Sequence, residues 1–478
     1  MLSKPLIIYN SLSGKKEEFK PLKKNNLGLY VCGPTVYSNV HLGNCRTFVS
    51  FDIIYRYFLH KGYKVRYVRN ITDVGHLEDN GEDRINKKAK VEKLEPMEVA
   101  NRYTNDFRDT LKEFNVLSPS IEPLASGHII EQIEIIKKII DKGFAYESNG
   151  SIYFDLDEFR KENNYGKLSG REIDDLISNT RSLISQDDKR NPYDFALWKK
   201  ADSKHLMKWS SPWSVGFPGW HIECTAMSHK YLGDSFDIHG GGIDLKFPHH
   251  ECEIAQSDSL SKNHSVNYWM HTNMLTLNNK KMSKSTGNNI LPKDLISGDN
   301  KLFKSPYSSN IIRFFFLQAH YRNVLDISED ALKASEKGFN KIVDASEKLE
   351  NLKVNNSPES NYDIESWINN CYECMNDDFN TPKLIAEIFT IIKLINKVHD
   401  EKESINSEKI KLLKNIFPVF ISEILGLKIY KDNSSDNSEL LNIIIDIRNE
   451  VRKNKDYKTS DLIRDKLSKT GYNIKDND

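Results

Sequence analysis

The chain has 478 residues, enough for about three or four domains. Its 68 basic and 68 acidic residues cancel, which excludes a global field for nucleic acid and confines any such partner to local basic faces. No apolar run is long enough to span a bilayer, and Met1-Leu2-Ser3-Lys4-Pro5 carries no signal-peptide pattern, so a soluble, cytoplasmic protein that engages no membrane is expected.

Residues 1–26 read as a strand and a charged turn. Leu27-Gly28-Leu29-Tyr30-Val31 reads as a strand that ends at Cys32-Gly33-Pro34, because Gly-Pro ends regular pairing. His41-Leu42-Gly43-Asn44 then opens a strong helix. Phe48, Phe51, Tyr55 and Phe58 recur on it as one buried stripe, and Gly62 supplies a stop. Lys64 to Arg69 alternates as a strand. Strand, anion-binding turn, helix and strand open a Rossmann-like half. Residues 97–145 are expected to be helical, and 146–205 to be shorter mixed pieces with a strand at Ser151-Ile152-Tyr153-Phe154-Asp155. Residues 121–205 thus read as an insertion between two halves of a catalytic domain, 1–120 and 206–325.

Phe247-Pro248-His249-His250-Glu251-Cys252-Glu253 opens a helix after proline. His249 and Glu253 stand four apart on one face, a spacing that suits zinc. Two more ligands must come from elsewhere. Cys32, at a strand end, and Cys224 are candidates for the crevice where strand ends meet. His221, His250, Cys45 and Cys252 compete, and spacing alone does not choose among them. The bland reading is buried histidines and inert core thiols. Cys371-x-x-Cys374 resembles half a zinc site, but Ile364, Trp367, Cys371 and Cys374 repeat at helical spacing, and core packing is expected there.

Lys281-Met282-Ser283-Lys284-Ser285 puts two ammonium groups on a polar segment suited to a loop that closes over phosphates. A histidine and backbone N–H groups at the helix start near His41 form an anion site. Together they read as an ATP site in two halves, about 240 residues apart. Asp326 or Ser328 is placed to cap a long helix running toward Leu352. A break follows at Asn355 to Ser360. Thr381 then caps a helix with Pro382 in its first turn, and Ile385, Ile388, Ile392 and Ile395 give it an apolar face. Residues 326–430 read as an all-helical bundle, Asp432 to Ser438 as a linker, and 440–478 as a small last module.

These residues resemble one family nearly end to end, the cysteinyl-tRNA synthetases among the class I aminoacyl-tRNA synthetases. The resemblance is carried by Tyr30-Val31-Cys32-Gly33-Pro34-Thr35-Val36-Tyr37, His41-Leu42-Gly43-Asn44 and Asn70-Ile71-Thr72-Asp73. It continues through Pro218-Gly219-Trp220-His221-Ile222-Glu223-Cys224, Asp237-Ile238-His239-Gly240-Gly241-Gly242 and Phe247-Pro248-His249-His250-Glu251. Trp269-Met270-His271, Lys281 to Ser285, and Asp377-Asp378-Phe379-Asn380-Thr381-Pro382 complete it.

The resemblance implies a Rossmann-like parallel-sheet α/β catalytic domain with an insertion, then a helical bundle and a small C-terminal module. It implies ATP-dependent activation of L-cysteine to cysteinyl-adenylate, and transfer to the 3'-terminal adenosine of tRNA(Cys). Its zinc ligands, for one Zn2+ per chain, match Cys32, Cys224, His249 and Glu253. ATP is expected with Mg2+. His41 and Asn44 serve the phosphates from the helix start, and Lys281 and Lys284 from the loop. Gly43 leaves room for adenine, and Asp244 holds ribose. Thr72, Trp220 and His239 line the cysteine pocket. Arg452, Asp461 and Asp476 match tRNA-contacting positions, although mixed charges there also suit a solvated helix face. A monomer is expected.

Zinc explains the choice of amino acid, because a soft thiolate binds it strongly and a neutral hydroxyl does not. The sequence departs from the family's pattern in places. Cys252 stands where Asn is usual. Ser214 and Phe217 stand where a glycine and a basic residue are usual. The C-terminal end reads as short. Two rivals share parts of the pattern: a ligase joining cysteine to an amino-sugar, and a non-catalytic zinc-containing RNA-binding protein.

Overall fold

In the computed structural model, described over residues 4–75, 83–171, 188–203, 205–261, 265–282, 289–429, 443–448, 450–452, 454 and 456–469, the chain opens on a hairpin of β1 (Ile7–Asn10) and β2 (Lys15–Glu18). β3 (Asn26–Val31), α1 (Leu42–His60) and β4 (Lys64–Arg69) follow where spacing predicts them. Phe48, Phe51 and Phe58 of α1 are buried and Tyr55 is half-buried. The turn after α1 takes Gly62 at φ +81°, a conformation open to glycine.

α2 (Arg84–Glu92) and α3 (Pro96–Glu113) come next. The expectation of helix across 97–145 fails at its centre. α4 (Ile129–Asp141) begins only after an extended stretch. Pro119 and Pro123 are the reason, since proline lacks an N–H and disfavours helix in the residue before it. The stretch lies along β4 instead: Ile121 N donates to Tyr67 O at 3.1 Å and Ile71 N to Pro123 O at 2.8 Å.

β5 (Ala145–Ser148), β6 (Ser151–Phe154), β7 (Phe195–Lys200), β8 (Trp209–Ser210) and β9 (Val215–Pro218) form an antiparallel sheet in the order β5-β6-β7-β9-β8. A short helix, α5 (Leu156–Arg160), follows β6. Then come α6 (Trp220–Leu232), β10 (Phe236–Gly242), α7 (His249–Leu260) and β11 (Val266–Thr272). Ile135, Ile136 and Ile139 of α4 pack with Phe154, Leu197 and Trp198 of this sheet, and Ile222 of α6 and Cys252 of α7 join that core.

The central sheet is parallel throughout, in the order β11-β10-β3-β4. Chain order reverses between β3 and β10. Ligands of such sheets bind beyond the carboxyl ends of the strands at that point. Cys32 N donates to Gly240 O across it at 3.0 Å.

A second small sheet, β13-β12-β14, is made of β12 (Leu275–Leu277), β13 (Lys280–Lys281) and β14 (Leu325–Ile327). Buried Arg46 ties α1 to it. Its guanidinium donates to the carbonyls of Asn273 (3.0 Å), Met274 (2.7 Å), His320 (3.3 Å) and Asn323 (2.6 Å), which precede β12 and β14.

Short α8 (Pro292–Ser297) and apolar α9 (Ser309–Leu317) lead to α10 (Glu329–Glu350), α11 (Ile364–Asn376), α12 (Thr381–His399) and α13 (Ser407–Pro418). Ser328 caps α10, accepting from Ala331 N at 3.3 Å, while Asp326 lies in β14 and accepts from Asn279 N. Asn380, not Thr381, caps α12. Its side chain accepts from Lys383 N at 3.3 Å, and the Thr381 hydroxyl, one residue inside, donates to Leu317 O at 2.8 Å. Cys371 is buried in the bundle and Cys374 half-buried, and neither joins a metal-ligating group among the described residues.

Two compact units result, Met1–Leu427 and Lys428–Asp478, the second holding α14 (Tyr457–Lys469). Among the described residues no helix is long and apolar enough to cross a membrane.

Candidate active site

The switch point gathers side chains from three elements. Cys32 follows β3, Cys224 stands in α6, and His249 and Glu253 lie one turn apart in α7. Their ligating atoms all lie within 4.8 Å of one another, and all four residues are buried. Cys32 Sγ is 3.8 Å from Cys224 Sγ, and His249 Nε2 is 3.4 Å from Cys224 Sγ and 3.2 Å from Glu253 Oε1. A second group shares two members: Cys32, His239, His250 and Glu253. Cys32 Sγ lies 3.5 Å from His239 Nε2 and 3.3 Å from His250 Nε2.

The two groups differ in chemistry. Two thiols, an imidazole and a carboxylate make a softer set than one thiol, two imidazoles and a carboxylate, and either fits a zinc-like ion. The outer histidines are held from behind. His250 Nδ1 lies 2.9 Å from His271 Nε2, whose Nδ1 lies 2.8 Å from Ser11 Oγ. His221 Nδ1 lies 2.9 Å from His249 Nδ1, and His239 stacks on Trp269. Burial pushes the Cys32 thiol up to about 12, raises Cys224 and Glu253 well above their ordinary values, and lowers His221 to about 3. Burial alone thus favours the neutral form of each, and a dication is what reverses that for thiols.

Cys252 is not part of this cluster. Its thiol is buried among the apolar residues behind α7 and lies 3.5 Å from the Tyr165 hydroxyl. Cys45 is buried in α1 and joins neither group.

Beside the cluster opens a cavity of about 530 Å³, lined by Cys32, His41, Asn44, Trp220, Asp244 and Arg84 among others. His41 caps α1 reciprocally with Asn44: His41 Nδ1 accepts from Asn44 N at 3.4 Å, and Asn44 Oδ1 accepts from His41 N at 3.1 Å. Spacing of three residues is the sequence signature of that box. A Cβ on Gly43 would come within 3.0 Å of the His41 ring, so glycine there also gives the imidazole its room. Trp220 lies 4.5 Å, centroid to centroid, from His249 and so joins the cavity wall to the cluster.

Thr72 is buried and is not among the residues lining this cavity: its hydroxyl donates to Glu223 and accepts from Asn70 Nδ2. His239 sits inside the cysteine–histidine cluster, not on the cavity lining. Met282, between the two lysines of the loop, is buried and lines the cavity. Lys281 belongs to β13, while Lys284 lies outside the described residues, as does Asp476. In the second unit Asp461 pairs with Arg464 at 3.1 Å, and Arg452 is half-buried.

Both departures in β9 and its approach have local partners. Ser214 Oγ donates to Gly150 O at 2.6 Å, and Phe217 is buried with its ring 4.0 Å from that of His205. Arg84 and Arg46 are the residues that sequence reading misses. Neither stands in a motif, and only the packing of distant segments gives Arg84 its place on the cavity wall and Arg46 its carbonyl partners beyond α1.

Parallel sheet, switch-point cavity and capped helix start define a doubly wound α/β protein with a nucleotide-type site. Residues 18–337 match the family model described as tRNA synthetases class I (C) catalytic domain, and residues 370–429 match the DALR domain. A solved methionyl-tRNA synthetase of Mycobacterium tuberculosis, in complex with methionyl-adenylate, shares the fold at TM-score 0.59 and 13% identity, over 84% of this chain and 92% of that one. The "Cysteine--tRNA ligase" of Bacteroides fragilis is 52% identical over 98% of this chain and 97% of that protein. That of Porphyromonas gingivalis is 50% identical over 99% and 97%. The chain belongs to the cysteine–tRNA ligase family: it is an enzyme that activates cysteine and charges tRNA with it. Neither the amino-sugar ligase nor the non-catalytic binder is favoured.

Proposed function

We propose that Cys32, Cys224, His249 and Glu253 hold zinc, and that the adjoining cavity takes ATP with Mg2+ and L-cysteine. The single observation that carries this reading is the buried four-ligand cluster at the end of β3, against the wall formed by Trp220. Zinc bound there supplies a soft Lewis acid that favours a thiolate over a hydroxyl, and so cysteine over serine. His239 and His250 flank the cluster, and Thr72, through Glu223, braces the segment beneath the pocket.

Activation forms a bond between the cysteine carboxylate and the α-phosphorus of ATP, and pyrophosphate leaves. Charge develops on phosphate oxygens, so positioning and electrostatic stabilisation carry the step. Because His41 Nδ1 accepts from the Asn44 amide, its neutral ring carries the proton on Nε2 and donates from there. Asn44 fixes that ring. Lys281 and Lys284 approach the phosphates from the loop, Gly43 leaves room beside adenine, and Asp244 accepts from ribose hydroxyls. Transfer then moves the cysteinyl group to the terminal adenosine of tRNA(Cys).

Arg452, Asp461 and Asp476 meet tRNA in this reading, with residues 326–430 and 440–478 as its binding parts. Arginine can pair with guanine bidentately and aspartate can accept from a cytosine amine. The enzyme acts as a cytoplasmic monomer. The test is metal content together with cysteine-dependent pyrophosphate–ATP exchange. Wild type should carry one zinc and reject serine, and Cys224→Ser should lose both metal and exchange. Full zinc and full exchange in Cys224→Ser would refute the ligand set.

A further inference from the structure

Arg84 stands at the first position of α2, outside every motif, yet lines the same cavity as His41, Asn44, Trp220 and Asp244. Its place is built from the backbone up. Buried Asp83 caps α2, accepting from Ile85 N at 3.0 Å and Asn86 N at 2.9 Å, and its other oxygen accepts from Gly75 N at 3.0 Å. That cap holds the start of α2 to the segment carrying Thr72. The Arg84 guanidinium then lies over the Tyr37 ring, 5.2 Å from its centroid, and Nη1 donates to the Tyr37 hydroxyl oxygen at 3.1 Å. Nε is buried and has no hydrogen-bond partner. Among the described residues no carboxylate pairs with Arg84.

A planar, permanently charged fork, oriented by a stacked tyrosine and left without a counter-ion among the described residues, is an unusual thing to build into a wall. If its task were only to hold Tyr37, a neutral donor would serve without the cost of desolvating a charge. A cavity whose substrates are polyanions supplies the missing partner. We propose that Arg84 binds a substrate phosphate in this cavity, either of ATP or of the terminal nucleotides of tRNA. The assignment rests on the reading that both substrates meet there.

The test uses full-length Arg84→Ala, Arg84→Lys and His41→Ala enzymes, each first checked for an unchanged denaturation midpoint. Pyrophosphate exchange gives KM for ATP, and single-turnover transfer from preformed adenylate gives the tRNA step at several salt concentrations. Losing a charge-assisted contact should cost about 10- to 100-fold. A rise of that size in KM for ATP assigns the phosphate to ATP. Normal exchange, with slowed transfer and a salt slope reduced by about 1, assigns it to tRNA. Arg84→Lys, which keeps the charge and loses the fork, should fall between. Unchanged KM and salt slope in Arg84→Ala, or an equal fall in kcat of both steps with neither moving, overturns the proposal. Loss of exchange in His41→Ala, with both exchange and transfer normal in Arg84→Ala, would sink the Arg84 assignment only; normal exchange in His41→Ala would sink the cavity reading itself.

Discussion

Replacing Gly240 by alanine tests how the sheet sets the catalytic helix. Gly240 lies in β10, paired with Val31 of β3 and Met270 of β11, directly under α1. A Cβ there would lie 2.1 Å from both Cε1 and Cζ of Phe51, a fully buried ring. Carbon atoms relax at about 3.5–4.0 Å, so α1 must lift by over an ångström or the ring must leave its rotamer. Overpacking of this kind costs about 1–3 kcal/mol. The same lift moves His41 and Asn44, and misplacing a reacting geometry by about 1 Å can cost roughly 10²-fold in rate. Urea denaturation should show the loss of stability, and pyrophosphate exchange the loss of rate. Phe51→Leu in the same chain should relieve both, giving a non-additive cycle. Gly62→Ala is the control: nothing lies within 4 Å of its Cβ, so only strain from φ +81° applies, about 1–2 kcal/mol, and exchange should hold. An unchanged midpoint and rate in Gly240→Ala, or strict additivity with Phe51→Leu, would refute the reasoning.

Cys252→Ala should keep its zinc stoichiometry in mass spectrometry while losing about 1 kcal/mol of stability, since its thiol packs toward Tyr165; loss of zinc would make it a ligand. Lys284→Ala should slow adenylate formation by about 10²–10³ with cysteine affinity held, as removal of a transition-state donor does. A change confined to cysteine affinity would contradict the phosphate role. Asp377, hydrogen-bonded to Lys16 and 2.9 Å from Lys383, has its carboxyl lowered to about 2 from an ordinary 3.8 by those two ammonium groups. A depressed folded value means its stabilisation is complete above the unfolded value and disappears as pH falls through about 2. Urea midpoints of wild type and Asp377→Asn should therefore differ at pH 5 and converge between about pH 4 and 2; a gap constant across that window would contradict the pairing.

Much of the site was legible because its signals are local. His41-Leu42-Gly43-Asn44 announces a helix start that forms an anion site; the reciprocal cap between His41 and Asn44 is seen only in the structure. His249 and Glu253 announce a shared helix face at four. β3, α1 and β4 follow from periodicity and from Gly-Pro and glycine stops, which act within a few residues. Where local signals conflict, the sequence misleads: its pattern extends helix through Pro119 and Pro123, and it offers Thr381 as the cap that Asn380 supplies.

Spacing by itself proposed zinc on a helix face but did not choose its partners, and the resemblance filled that gap. Bringing Cys32 and Cys224 to α7 is the work of strand order, since β3 and β10 must lie side by side for the three elements to converge. That convergence also leaves His239 and His250 within reach of Cys32, turns Cys252 into the apolar core, and gives the Thr72 hydroxyl to Glu223. Arg84 and Arg46 had no sequence signal at all. Their meaning lies in partners far along the chain, and periodicity carries no information about contacts made across such a distance.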